Sequence, residues 1–90
     1  MRIDEDHRRA IRVRCLFFAA YRDLAGADQL EIELPREVTV SDLVRHVRER
    51  LGSEALPSRP VVAVNQEYAS LDAIVREGDE VAFIPPVAGG

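Results

Sequence analysis

The residues with the most chemical promise stand at the end of the sequence, Pro85-Pro86-Val87-Ala88-Gly89-Gly90. Two prolines close an apolar run, small or slim residues follow, and the last pair is a diglycine. Elsewhere the sequence holds no Gly-rich phosphate loop, no cluster with metal-ligand spacing and no nucleophile paired with a base. The group it offers for reaction is therefore the carboxyl of Gly90. A carboxylate is a poor electrophile, so it needs activation before any group can be transferred to it. With no side chains, Gly89 and Gly90 can enter a channel too narrow for other residues. Extended, Val87 to Gly90 reaches roughly 13–14 Å, and Pro85-Pro86 stiffens and aims its root. Ordering these tail residues costs on the order of 4–8 kcal/mol of backbone entropy, so the tail is expected to order only inside a partner.

Size and composition narrow what the rest of the chain can do. Ninety residues make one small domain without room for a large internal pocket. An apolar content of 47% and a charged content of 31% fit a soluble globular protein. No apolar run approaches the roughly 18–20 residues that span a bilayer. Asp4-Glu5-Asp6 puts acid where a signal peptide carries its apolar region, so a cytoplasmic protein is expected, without membrane contact. The net charge of −4 argues against nucleic-acid binding. Cys15 is the single cysteine, which excludes an internal disulfide; it sits in an alternating run and reads as a small core residue. His7 and His46 have no second ligand at metal spacing, and no metal is expected. All twelve basic residues are arginine. The chain could thus donate its terminus to another protein but could not be chained to itself through lysine.

The elements that must position the tail follow from periodicity. Residues 1–10 are polar, mixed in sign and aperiodic, an expected flexible arm. Ile11, Val13, Cys15 and Phe17 alternate with Arg12 and Arg14, a strand with one core face, while Leu16 and Phe18 make its second face apolar near the end. Ala19–Ala25 is rich in helix formers and is followed by Gly26, so a short helix is expected. Leu30, Ile32 and Leu34 alternate in a second strand, antiparallel to the first and closed by Pro35. Thr39 opens the one long helix, with Asp42 in a weak capping box. Val40, Leu43, Val44, Val47 and Leu51 form its apolar stripe, and Gly52 is expected in a left-handed conformation at its end. Pro60-Val61-Val62-Ala63-Val64-Asn65 reads as a strand covered on both faces or near the middle of the sheet. Asn65-Gln66-Glu67 is a turn. Tyr68–Val75 is expected to hold a brief strand and one helical turn. After the turn Glu77-Gly78-Asp79, the last strand is Glu80–Ile84.

This order describes an α+β domain over residues 11–86, a mixed sheet of four to five strands packed on the long helix, with 87–90 as a flexible tail. The first and last strands would lie side by side and parallel at the centre, as in the β-grasp arrangement. On the last strand Val81 and Phe83 share one face, Ala82 and Ile84 the other. One face serves the core, and the other, with Leu16 or Phe18, would leave an apolar patch of the kind that marks an interface.

The run Gly78-Asp79-Glu80-Val81-Ala82-Phe83-Ile84-Pro85-Pro86-Val87-Ala88-Gly89-Gly90 resembles the C-terminus of the small subunit of molybdopterin synthase, a ubiquitin-like β-grasp sulfur carrier. Leu16-Phe17-Phe18-Ala19-Ala20-Tyr21-Arg22-Asp23-Leu24-Ala25-Gly26 and Val62-Ala63-Val64-Asn65-Gln66-Glu67 are similar to the same family, so the resemblance covers about residues 11–90; the arm 1–10 departs from it. It implies that Gly90, presented by Gly89, is adenylated and converted to a thiocarboxylate that donates sulfur for the dithiolene of molybdopterin. This chain would not be catalytic alone but would be the sulfur-donating subunit of a sulfurtransferase complex. It would bind no cofactor; ATP and magnesium would belong to an adenylating enzyme of the ubiquitin-activating type. The second implied partner is the large subunit of molybdopterin synthase, in a heterotetramer. Phe18, Phe83, Ile84, Pro85, Pro86, Val87 and Ala88 form the expected partner-binding set. The alternatives are a carrier for another pathway, such as thiazole synthesis for thiamine, or a ubiquitin-like protein modifier.

Overall fold

The computed structural model describes residues 10–52 and 56–86. Nearly all of the arm expected over residues 1–10, and the whole tail 87–90, lie outside the described residues. Strand β1 (Ile11–Phe17) follows its alternation, with Ile11, Val13, Cys15 and Phe17 buried and Arg12 and Arg14 exposed. Helix α1 (Ala19–Ala25) ends where the Gly26 N–H donates to the Arg22 carbonyl at 2.9 Å. Strand β2 (Gln29–Leu34) returns antiparallel to β1, with Ile11 opposite Leu34 and Cys15 opposite Leu30. Its Ile32 and Leu34 are buried.

Strand β3 (Val38–Thr39) leads directly into helix α2 (Val40–Leu51). The Thr39 hydroxyl caps the helix by accepting from the Asp42 N–H at 3.1 Å. Desolvation raises the Asp42 carboxyl, but hydrogen bonds from Thr39 and Arg45 and the Arg45 charge outweigh it and hold the group below its ordinary value. Val40, Leu43, Val44 and Val47 of the expected stripe are all buried, and Leu51 packs against them. Gly52 departs from the left-handed cap: φ is 101° but ψ is 145°, so the chain leaves the helix extended instead of curling into another turn. The φ there still suits glycine alone.

Strands β4 (Val61–Val64), β5 (Glu67–Ala69), β6 (Ile74–Val75) and β7 (Glu80–Ile84) complete the domain. The segment expected to hold one strand and a helical turn thus contributes to two strands. Val75 is drawn into the core and Val38 pairs with it. The main sheet runs β2-β1-β7-β4-β5, and β3 pairs with β6 in a small second sheet. Strands β1 and β7 are parallel while the other pairs are antiparallel. A parallel pair needs a long crossover, and α2 lies in the intervening chain. This is the β-grasp fold, with α2 and the inner face of the sheet sharing one core.

At the start of β7 a polar latch joins three segments. The Asn65 Nδ2 donates to Asp79 Oδ1 at 2.9 Å, its Oδ1 accepts from the Glu80 N–H at 3.0 Å, and its own N–H donates to the Glu80 carbonyl at 2.7 Å. Asp79 Oδ2 accepts from the Arg76 N–H at 2.7 Å, closing the turn at Gly78. The Gly78 N–H reaches the Arg12 carbonyl at 2.8 Å, with Gly78 at φ 83°, where a side chain would be strained. Asn65 and Gln66 both have positive φ, 51° and 73°. This gives a two-residue β4–β5 hairpin turn whose twist suits the strands. The latch ties the turn after Val64 to the start of β7.

Two outcomes follow. Asn65→Ala removes the bridge between hairpin and latch and should cost about 1–2 kcal/mol in urea unfolding. Cys15 has no exposed surface; burial pushes its thiol up to about 12, with the Arg50 charge pulling down more weakly. A raised folded-state value leaves stability intact at neutral pH and removes it as pH rises above the ordinary thiol range. The stability advantage of the parent over Cys15→Ala should therefore shrink by about 1.4 kcal/mol between pH 8 and pH 10.

Candidate functional site

Strand β7 sets where the tail leaves. It is bonded on both sides, parallel to β1 and antiparallel to β4, with Phe83 opposite both Phe17 and Val62 and with Ile84 opposite Val61. Val81 and Phe83 point into the core, while Glu80, Ala82 and Ile84 point away from it. Phe83 stacks on Phe17, with ring centroids 5.4 Å apart and planes 9° from parallel. Pro85 is half-buried and Pro86 exposed.

The outer face of the sheet, away from α2, is divided along the strands. At one end it is charged: Arg12 lies opposite Glu33, and Arg14 opposite Glu31 and beside Glu80, Nη1 to Oε2 at 3.8 Å. Such exposed pairs add little stability. Toward the end of β7 the face is apolar. Leu16 lies opposite Ala82, Ala63 opposite both Ala82 and Tyr68, and Val61 opposite Ile84. Cross-strand partners share a face, so these side chains form one surface. Phe18 continues it just past β1. Phe18 is 46% exposed, Val61 55% and Tyr68 78%. Ala19, directly after Phe18, has φ 50°, a turn that sends the chain into α1 and leaves the ring outside the core. An apolar surface of this kind beside a chain exit is what a docking interface looks like.

Of the expected partner-binding residues, the fold brings Phe18, Ile84, Pro85 and Pro86 together around the end of β7. Phe83 is corrected: it is 0% exposed, and its inward parity makes it a core residue, so Ala82 and Ile84 carry that strand's outer surface. Val87, Ala88, Gly89 and Gly90 lie outside the described residues. Val61 and Tyr68 were not expected in the set. Of the two readings of the apolar run at 61–64, a position inside the sheet holds, between β7 and β5, while cover on both faces does not: Val62 and Ala63 are buried and Val61 faces out. An unbroken apolar run in an antiparallel strand was the available signal. Among the described residues, no group of His, Cys, Asp or Glu could hold a metal ion, and no helix is long and apolar enough to cross a membrane.

The sequence pattern of the ThiS family matches residues 15–90. The chain belongs to the ThiS family. That match runs from β1 through the latch and β7 to Gly90, so it includes both the apolar face and the tail. Among curated relatives, the molybdopterin synthase sulfur carrier subunit of Escherichia coli (strain K12) is 40% identical over 83 residues, 87% of this chain and 99% of that protein. The protein of the same name from Drosophila melanogaster is 35% identical over 83 residues, 89% of this chain and 92% of that protein. Among solved structures, a putative molybdopterin converting factor, subunit 1, from Pyrococcus furiosus superposes with a TM-score of 0.74 at 34% identity. It covers 86% of this chain and 99% of that one.

The division of roles on β7 is measurable. Phe83→Ala opens a cavity beside Phe17 and should cost about 3–5 kcal/mol, whereas Phe18→Ser, on the outer face, should change stability by no more than about 0.5 kcal/mol. Equal losses in thermal or urea unfolding would contradict the assignment of Phe18 to the surface.

Proposed function

We propose that this chain is the sulfur-carrier subunit of a molybdopterin synthase, and that Gly90 is its reacting residue. The observation that carries the reading is the convergence of the exposed apolar face on the end of β7, where Pro85-Pro86 starts the run that ends in Gly89-Gly90 in the sequence. The names of its relatives, molybdopterin synthase sulfur carrier subunits, support the same reading.

The chain supplies an acyl group and an address. On a partner of the ubiquitin-activating type, the Gly90 carboxylate attacks the α-phosphorus of ATP. An acyl adenylate forms and pyrophosphate leaves, with magnesium held by that partner. Sulfide-level sulfur from a donor then attacks the acyl carbon. A C–S bond forms as the C–O bond to AMP breaks with its electron pair leaving on AMP, and a thiocarboxylate remains. In the second complex, a heterotetramer with the large synthase subunit, the tail carries that sulfur to the pterin precursor, where it becomes part of the dithiolene. The body stays outside both active sites, docked through Phe18, Val61, Ala82, Ile84 and Tyr68, while Gly89 and Gly90 pass through the channel. The chain holds no ATP or metal itself and performs no step alone. Its setting is the cytoplasm.

Protein made together with the activating enzyme and a sulfur donor should gain the mass of one oxygen-to-sulfur exchange at its C-terminus. Deleting Gly90 should abolish that change and sulfur delivery while leaving the unfolding midpoint unaltered. A terminus that stays unmodified, or co-purification with a thiazole synthase in place of a large molybdopterin synthase subunit, would contradict the proposal.

A further inference from the structure

At its margin by β4 and β5 the apolar outer face runs into an open hollow of about 500 Å³. Val61 and Tyr68 line this hollow and belong to the outer face as well. Arg59 lines it too, two residues before Val61, and is exposed. The next residue, Pro60, is buried, and a residue before proline is held to extended backbone, so the root of the Arg59 side chain is fixed. Among the described residues no carboxylate lies within ion-pair distance of Arg59, not even Asp72 on the same hollow, whereas Arg14, Arg22, Arg45 and Arg76 each have one. Arg12 and Arg50 share a second hollow with Glu31 and Glu33 at the charged part of the sheet. Arg36 follows β2, whose last residue lies opposite Ile11 at the start of β1. Arg59 is thus the cation without a carboxylate that adjoins the apolar face.

We propose that Arg59 receives an Asp or Glu side chain of the large synthase subunit in this hollow, a charge pair that fixes where the partner sits on the apolar face. The inference rests on the proposed function, since it needs that subunit to cover Val61 and Tyr68. Covering them takes water away from Arg59 as well. A guanidinium presents donors only, and a cation stripped of water without a counter-charge is strongly unfavourable. The body supplies no carboxylate at that distance, so the partner must bring one. A carboxylate can accept two parallel bonds from the guanidinium fork. The hydroxyls of Ser41 and Ser70 line the same hollow and can donate to its remaining lone pairs, while Val61 and Tyr68 flank the stem. The net charge of −4 disfavours an acidic partner surface at large. The match is therefore one of position, and such matches serve specificity and orientation.

The test is the affinity of the full chain for the large synthase subunit, measured by titration calorimetry over a range of salt concentrations. Arg59→Ala, Arg59→Lys and Arg59→Glu are compared with the parent, with Arg45→Ala on the exposed side of α2 as the control and Ile84→Ser as a change on the apolar face itself. Arg59→Ala should weaken binding about ten- to hundredfold and flatten its salt dependence. Arg59→Glu should weaken it further. Arg59→Lys, which keeps the charge but not the fork, should recover most of the loss. Arg45→Ala should bind as the parent does, and the unfolding midpoints of the Arg59 variants should match the parent's. Parent-like binding by Arg59→Ala and Arg59→Glu would overturn the proposal. So would Arg59→Lys as weak as Arg59→Ala, because the partner would then not be reading charge. If Ile84→Ser weakens binding while the Arg59 variants do not, this inference alone falls. If the parent chain does not bind the large subunit, the proposed function falls with it.

Discussion

The structure depends on one constraint: the last strand before the tail is also the most enclosed strand of the sheet. β7 is bonded to β1 on one side and β4 on the other. Its inward residues Val81 and Phe83 have no exposed surface, and the Asn65–Asp79 latch holds its first residue. The stacked rings of Phe17 and Phe83 add about 0.5–1.5 kcal/mol beyond their burial. A tail hung on an edge strand would fray with that edge. Hung on the central strand, its root moves only if the whole sheet comes apart.

The same parity that fills the core creates the apolar outer face proposed for docking. Because neighbours along a strand face opposite ways, burying Phe83 turns Ala82 and Ile84 outward. The paired registers then set Leu16, Ala63 and Val61 around them. On the proposed function, apolar contact there would offset the backbone entropy of ordering residues 87–90, on the order of several kcal/mol. The charged end of the face, Arg12, Arg14, Glu31, Glu33 and Glu80, lies toward the far end of the strands from the tail. The outer face is thus polarised along the strands, charged at one end and apolar at the other.

Much of this architecture was legible in the residues. The alternation of Ile11–Phe17 and the stripe Val40–Val47 capped by Thr39 emerge as expected, because each is set by local periodicity. The central parallel pair also emerges, but it was expected from the β-grasp arrangement, since periodicity does not say which strands pair. The short segment 67–75 was less legible. Its two strands are too brief to show a period and depend on partners distant in sequence, Val62–Val64 and Val38–Thr39. Gly52 shows a similar limit: a glycine after a helix signals positive φ, while ψ depends on where the chain must go next. At the site, Phe18 and Ile84 could be read as surface residues, but Phe83 could not be assigned to the core until it was known which face of β7 met α2. Tyr68 escaped notice because its role comes only from lying opposite Ala63.

The central claim is that the apolar half of the outer face is where the chain meets its partner. A methyl-resolved NMR titration of the chain with the large synthase subunit tests it most directly. Shifts or broadening concentrated at Leu16, Val61, Ala63, Ala82 and Ile84, with Leu43, Val44 and Val47 beneath α2 unperturbed, are the predicted result. Perturbation centred on the exposed surface of α2, with the outer-face methyls unchanged, would contradict it.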